Sequence, residues 1–395
     1  MKSLFGQAVT TQTGNTTLRN ILFCLLLGIT IFLTLNKHNK APYGDYNSQI
    51  FSDAAGYYVH LPATFIYGYG KDYPVEFIEK CEALGVQVIK PKNQEQKLVT
   101  KYPLGVAIME APFFLIAHCY AILFNLEANG YSAIYQASIS IAASFYGVLA
   151  IFILFSFFKG SHSTTSILAT LLIVFFGTNY YYYVVDSPGM SHVFSFFLIS
   201  SFLLLFKRIN AGDHSLRLLI LLFITGALVV LVRTVNGIVL ILPLVLWVNS
   251  KQEAITRIKY WITLKNILIF LGIFLLVFIP QFSYNYFISE SLSLDAYDNE
   301  HFVYLTSPQF LKVWFAPLNG LFLYNPLYFL FFLGAIYLIR EKIWNGWVIL
   351  GFFLTISYVY ASWWSTELGC GYGHRGFVEW LPVYSIGLIL SLIHI

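Results

Sequence analysis

Five polar side chains in an otherwise apolar chain have types and settings suited to chemistry on a phosphate-linked substrate. Asp53 opens the run DAAGYYVHLP (53–62), and Asp186 closes the tyrosine-rich GTNYYYYVVD (177–186). Arg233 interrupts apolar sequence in VRTVNG (232–237), while His374 and Arg375 lie in GCGYGHRG (369–376). A carboxylate can take the proton of an attacking hydroxyl, and cations can stabilise a departing phosphate. Arginine's planar donors fit phosphate oxygens, and an arginine at the end of an apolar stretch must reach a partner or the interface. Each residue also has a plainer reading. Ser52 or Asp53 can cap a helix start, and Asp186 before Ser-Pro can serve a turn. Arg233 can snorkel at a short hairpin, and the glycines can simply shape a loop instead of letting backbone approach a ligand.

The elements that must position these residues are membrane spans. The chain is 58% hydrophobic and only 11% charged, with mean hydropathy +0.69, a composition that requires lipid as the main solvent. A net charge of +4 spread over short loops argues for cytoplasmic loop bias and against a nucleic-acid partner. With about 20 apolar residues needed per crossing, the expected spans are 18–35, 132–158, 166–183, 191–206, 216–232, 237–248, 266–282, 318–339, 347–360 and 377–394. The expected fold is therefore all-α, a polytopic transmembrane bundle of about ten spans and a single membrane domain over residues 1–395.

Basic loops at Lys159, Lys207 to Arg217, Lys251 to Lys265 and Arg340 to Lys342 mark the cytoplasmic side. Parity then makes residues 36–131 one large external loop. It also makes the apolar run 103–124, which contains Glu110 and His118, a re-entrant or juxtamembrane helix; the alternative is a normal span with a second membrane element earlier in the loop. Within that loop, Lys71 to Lys101 reads as a small soluble flap, with a helical start at Glu76 to Leu84 followed by Val86 to Ile89 and a break at Pro91. Four cysteines (Cys24, Cys81, Cys119, Cys370) form no CxxC pair, which removes support for a zinc or redox site. A disulfide among the last three is open.

On this topology Asp53, Asp186, Arg233, His374 and Arg375 all fall at the outer face. The pattern resembles the GT-C superfamily of polyprenyl-phosphate-sugar-dependent glycosyltransferases, which includes protein O-mannosyltransferases, aminoarabinose lipid A transferases and RgtA-like enzymes. Those enzymes place an essential acid just after the first span, where this chain has Asp53, and follow it with a Pro-containing segment, which KYPLG (101–105) resembles. A second acid in the next external loop corresponds to Asp186, and a basic residue at the outer end of a later span pair corresponds to Arg233. The acid pair of many mannosyltransferases is absent, since Ala54 follows Asp53.

The resemblance implies inverting transfer of a sugar from a polyprenyl-phosphate carrier to a glycan, lipid or protein hydroxyl, at the non-cytoplasmic face of the plasma (inner) membrane. Asp53 is then the general base, Arg233 and Arg375 hold the carrier phosphate, and Asp186 orients donor or acceptor. Lys101, His374 and Tyr57 are further substrate-binding candidates, and no cofactor or metal is expected. The rival readings are a transporter or lipid flippase and a non-catalytic partner in envelope assembly. A transporter would gather its charges near the midplane and show related halves. An assembly partner would tolerate loss of Asp53.

Overall fold

The structure, a computed structural model, describes residues 16–38, 48–74, 87–89, 97–293, 300–369 and 371–394. Its main helices are α1 (Thr16–His38), α2 (Asp53–Tyr58), α3 (Gly105–Leu123), α4 (Ala133–Phe158), α5 (Thr164–Phe176), α6 (Tyr180–Val185), α7 (Ser191–Asn210) and α8 (Leu216–Val232). They continue with α9 (Lys251–Trp261), α10 (Leu264–Ser289), α11 (Tyr328–Arg340), α12 (Asn345–Ser362) and α13 (Leu381–His394). Six segments, Arg19–His38, Gly105–Leu123, Ala133–Phe158, Ser191–Asn210, Leu264–Ser289 and Asn345–Ser362, are long and apolar enough to cross a membrane. Leucine and isoleucine on α10 stay exposed along its length, among them Leu268, Leu275 and Leu276, as expected of a helix whose solvent is hydrocarbon.

Several expected elements differ, each for a local reason. The run 166–183 is two helices, because Thr178 turns its hydroxyl back to the Val174 carbonyl at 2.7 Å and accepts the Tyr180 N–H at 3.2 Å, side-chain bonding that competes with the helical ladder. The run 318–339 is broken by Asn319, with φ 61°, and by Pro326, leaving a single turn at Leu321–Tyr324 and a longer helix that begins at Tyr328. After Arg233 the chain forms a tight 3₁₀ helix, Thr234–Ile241, instead of a regular span start. The basic loop from Lys251 contains α9, capped by the Ser250 hydroxyl accepting from the Glu253 N–H at 3.1 Å.

The all-α expectation also gains a hairpin. Strand β1 (Gln87–Ile89) pairs antiparallel with β2 (Lys97–Val99), Val88 opposite Leu98. The helical start expected at Glu76 to Leu84 lies outside the described residues. Cys24 and Cys119 are free thiols, and Cys81 and Cys370 lie outside the described residues.

The bundle has two chemically different ends. At one, Lys207 donates to the Phe157 carbonyl, Arg257 reaches Asn210 at 2.8 Å, and Asn345 accepts the Trp247 N–H at 2.7 Å. These contacts gather the basic loops. Helix α7 leads from Asn210 at that end to His192 at the other, a rise of about 30 Å for its length, comparable to the hydrocarbon thickness of a bilayer. His192, Arg233 and Arg375 therefore lie at the end opposite the basic loops.

One buried charge-bearing group is left out of every network. Glu110, on α3, is 2% exposed, and among the described residues neither carboxylate oxygen has a hydrogen-bond partner. A buried polar group without a partner costs about 1–3 kcal/mol. Glu110→Met is therefore expected to leave the thermal unfolding midpoint of the detergent-solubilised protein unchanged or raised; a clear fall would show that the carboxyl is structurally paired.

Candidate functional site

The site is built outward from Asp53. Ser52 precedes it with φ 51° and makes no side-chain cap, and Asp53 lies in the first helical turn. Its Oδ2 pairs with Arg375 Nη2 at 2.8 Å, and its Oδ1 accepts the Tyr102 phenol at 2.6 Å. The helix-cap reading therefore gives way to an ion pair and a phenol bond joining three distant segments. Burial alone would raise the Asp53 carboxyl, but Arg375, the Tyr102 bond, Lys101 and His192 together hold it below the ordinary carboxylate value. Burial and the Asp53 charge push the Tyr102 phenol up, so it keeps its proton and donates.

Tyr102 is held in place by its own segment. Thr100 donates its hydroxyl to the Gly56 carbonyl at 2.9 Å, and the Tyr102 carbonyl meets His60 Nε2 at 2.9 Å. Burial depresses the His60 imidazole to about 4, so the ring is neutral, with Nε2–H donating and Nδ1 accepting from the Tyr69 hydroxyl at 3.1 Å. Gly56 is required for this approach, since a Cβ there would fall 1.9 Å from the Tyr102 ring. The Tyr57 ring lies 4.7 Å from the Tyr102 ring, making Tyr57 a packing partner of the phenol.

A second network lies beside the first. Glu379, in the 3₁₀ helix Arg375–Trp380 that leads into α13, is fully buried. It pairs with Arg233 at 3.2 Å and with His192 Nδ1 at 2.8 Å. Arg233 Nη1 also lies 3.1 Å from His192 Nδ1. Nδ1 either donates to Glu379 Oε2 or accepts from Arg233, according to the imidazole tautomer, while Arg233 meets Glu379 Oε1 as an ion pair without a hydrogen bond. Arg233 Nη2 further reaches the Tyr360 hydroxyl at 3.4 Å. Arg375 and Glu379 share the 3₁₀ helix Arg375–Trp380, so Arg375 and the Glu379 partner Arg233 meet at one corner of the bundle. Gly376 lets this happen, as a Cβ there would sit 2.2 Å from the Tyr360 ring.

The remaining expected residues divide. Arg375 and Arg233 belong to the site, each with 18% of its side chain exposed. Lys101 pairs with Glu300 at 2.5 Å beside Tyr102. His374 is wholly buried, its Nε2 meeting the Thr366 carbonyl at 3.0 Å, and burial depresses its imidazole to about 3. It is therefore neutral and braces the loop before Arg375; it offers no charge to a phosphate. Asp186 points elsewhere. It pairs with Lys37 of α1 at 2.9 Å, while Gly189 of its loop packs against Ala54. Tyr102, His192, Tyr360 and Glu379 were not singled out from the sequence.

Asp53 is already engaged by a cation and a phenol donor, and among the described residues no three His, Cys, Asp or Glu side chains gather as a ligand set.

Comparison with known proteins finds no matching family model and no matching curated protein. Solved structures do match. The archaeal oligosaccharyltransferase AglB from Archaeoglobus fulgidus, in complex with an inhibitory peptide and a dolichol-phosphate, gives a TM-score of 0.51 at 13% identity over 95% of this chain and 50% of that one. The oligosaccharyltransferase of Archaeoglobus fulgidus in complex with zinc and sulfate gives 0.50 at 14% identity over 93% and 49%. This chain spans about half the length of the structures it matches. At such identity the likeness concerns fold alone: the chain shares the fold of the matched half of these oligosaccharyltransferase structures.

Proposed function

We propose that the chain is a membrane glycosyltransferase that moves a sugar from a polyprenyl-phosphate carrier to a hydroxyl acceptor, with inversion, at the non-cytoplasmic face of the plasma (inner) membrane. The observation that carries this reading is the pairing of Asp53 with Arg375, beside Arg233, at the bundle end opposite the basic loops. One site thus holds a carboxylate for a hydroxyl proton and two guanidinium groups for a phosphate. The matched AglB structure, which holds a dolichol-phosphate and a peptide, supports a lipid-linked donor and a separate acceptor.

In the proposed reaction the acceptor oxygen attacks the anomeric carbon, and the carbon–oxygen bond to the carrier phosphate breaks. The hydroxyl proton passes to Asp53. The bonding pair leaves on the phosphate, where Arg375 and Arg233 stabilise the charge. In the resting pair Arg375 lowers the proton affinity of Asp53. Drawing Arg375 onto the carrier phosphate would restore it, so donor binding prepares the base. Glu379 keeps Arg233 extended toward this face, and Asp186, at the rim beside Lys37, is assigned an orienting contact and no proton transfer. The ten-span topology, with residues 36–131 as one external loop, α3 at the outer interface and a single membrane domain, completes the reading. A transporter is less well served, because the charges gather at one end and not at the midplane.

Arg375→Gln tests the assignment. Losing one charge-assisted bond of about 1.5–3 kcal/mol is expected to raise the donor KM by roughly tenfold to a hundredfold, with the acceptor KM nearly unchanged. Because Arg375 holds Asp53 below its ordinary value, its removal should also move the acid limb of kcat/KM to higher pH. An unmoved limb together with unchanged donor affinity would sink the phosphate role.

A further inference from the structure

A cavity of about 170 Å³ lies between the segment Thr100 to Pro103, the outer end of α8 and the outer half of α10. Tyr102 forms part of its lining and also donates its phenol to Asp53 Oδ1 at 2.6 Å, so this residue links the cavity to Asp53. A cavity of roughly 150 Å³ admits a six-membered ring such as benzene, which makes the space the size of one sugar ring. Its walls are mixed. Tyr102 and Phe278 supply aromatic surface, while Gln281, Asn285 and Thr234 supply neutral donors and acceptors.

The polar groups are built in and not incidental. Gln281 donates to Asn285 Oδ1 at 2.8 Å and accepts the Leu104 N–H at 2.9 Å, and Asn285 is 8% exposed. Among the described residues Lys101 is the one charged residue lining the cavity, and Glu300 pairs with it at 2.5 Å. A compensated lysine disfavours an anion. Aromatic surface beside neutral amides and a hydroxyl suits a ring with an apolar C–H face and hydroxyl edges.

We propose that this cavity seats one uncharged pyranose ring, of either the transferred sugar or the acceptor glycan, with a ring hydroxyl turned toward Asp53 past Tyr102. The assignment rests on the transferase reading for its place in a reaction, but its binding chemistry stands by itself.

Saturation-transfer NMR on the full-length protein in nanodiscs, with neutral methyl glycosides of glucose, galactose and mannose as probes, tests it. At least one glycoside should receive saturation through its ring protons. The signal should drop about tenfold in Val230→Phe, which fills the cavity, and in Thr234→Trp, placed at an exposed rim position where folding is little disturbed. It should persist in Asp53→Asn. No glycoside signal, a signal indifferent to both filling variants, or displacement of the glycoside by farnesyl phosphate would overturn the proposal. Glycoside binding by a protein that transfers no sugar would keep the cavity assignment and sink the transferase reading. In a transfer assay, the substrate whose KM rises in Thr234→Trp identifies the source of the ring.

Discussion

Asp53→Asn is expected to lower sugar transfer by about 10²–10⁴-fold, the usual contribution of a positioned general base, while the protein remains folded in the membrane. The amide keeps the shape of the carboxylate and can still accept the Tyr102 phenol, but it cannot take up the acceptor's proton. The lost pair with Arg375 is not fully buried, with 22% and 18% of the two side chains exposed, and the amide fills the same space, so stability should fall far less than turnover. Unfolding midpoint and turnover should therefore separate. Turnover within a few-fold of the parent would remove Asp53 from the chemistry and favour the assembly-partner reading.

Glu379→Ala is expected to act the other way, through stability. Glu379 is fully buried, and it is the shared charge partner of Arg233 and His192. Removing one member of a buried charge pair leaves the other uncompensated, at a cost of about 3–5 kcal/mol. The variant should melt well below the parent in detergent or fail to accumulate, and Glu379→Gln should recover part of the loss by keeping the contact with His192. A Glu379→Ala protein with parental melting would show that Arg233 does not depend on this carboxylate. The same dependence makes Arg233→Ala a poor probe of phosphate binding, since it orphans Glu379.

Asp53, Arg233 and Arg375 were legible in the sequence because charges at the borders of apolar segments stand out against their surroundings, and the alternation of basic loops assigns them to one face. Tyr102 was not, since one tyrosine among 28 gains meaning only when Gly56 lets its ring reach α2. Glu379 carried a readable signal, an acid inside the apolar run 377–394, and its partners Arg233 and His192 lie far off in sequence. Asp186 shared the outer face with the others, but sidedness does not fix direction. The break after Gly177 creates the short helix α6, and its rotation turns Asp186 toward Lys37. The run 318–339 shows the same limit, because hydropathy counts apolar residues and does not register that Asn319 and Pro326 end helices.

The central claim is that the Arg375 and Arg233 face binds a lipid-carried phosphate within reach of Asp53. It is tested most directly by an experimental structure of the Asp53→Asn protein in lipid with a polyprenyl-phosphate sugar. The account predicts phosphate density against Arg375 and Arg233, with the sugar toward residue 53 and the prenyl chain leaving into the bilayer. Phosphate bound instead at the basic end near Lys207 and Arg257, or a donor absent from the Arg375 face at saturating concentration, would contradict it.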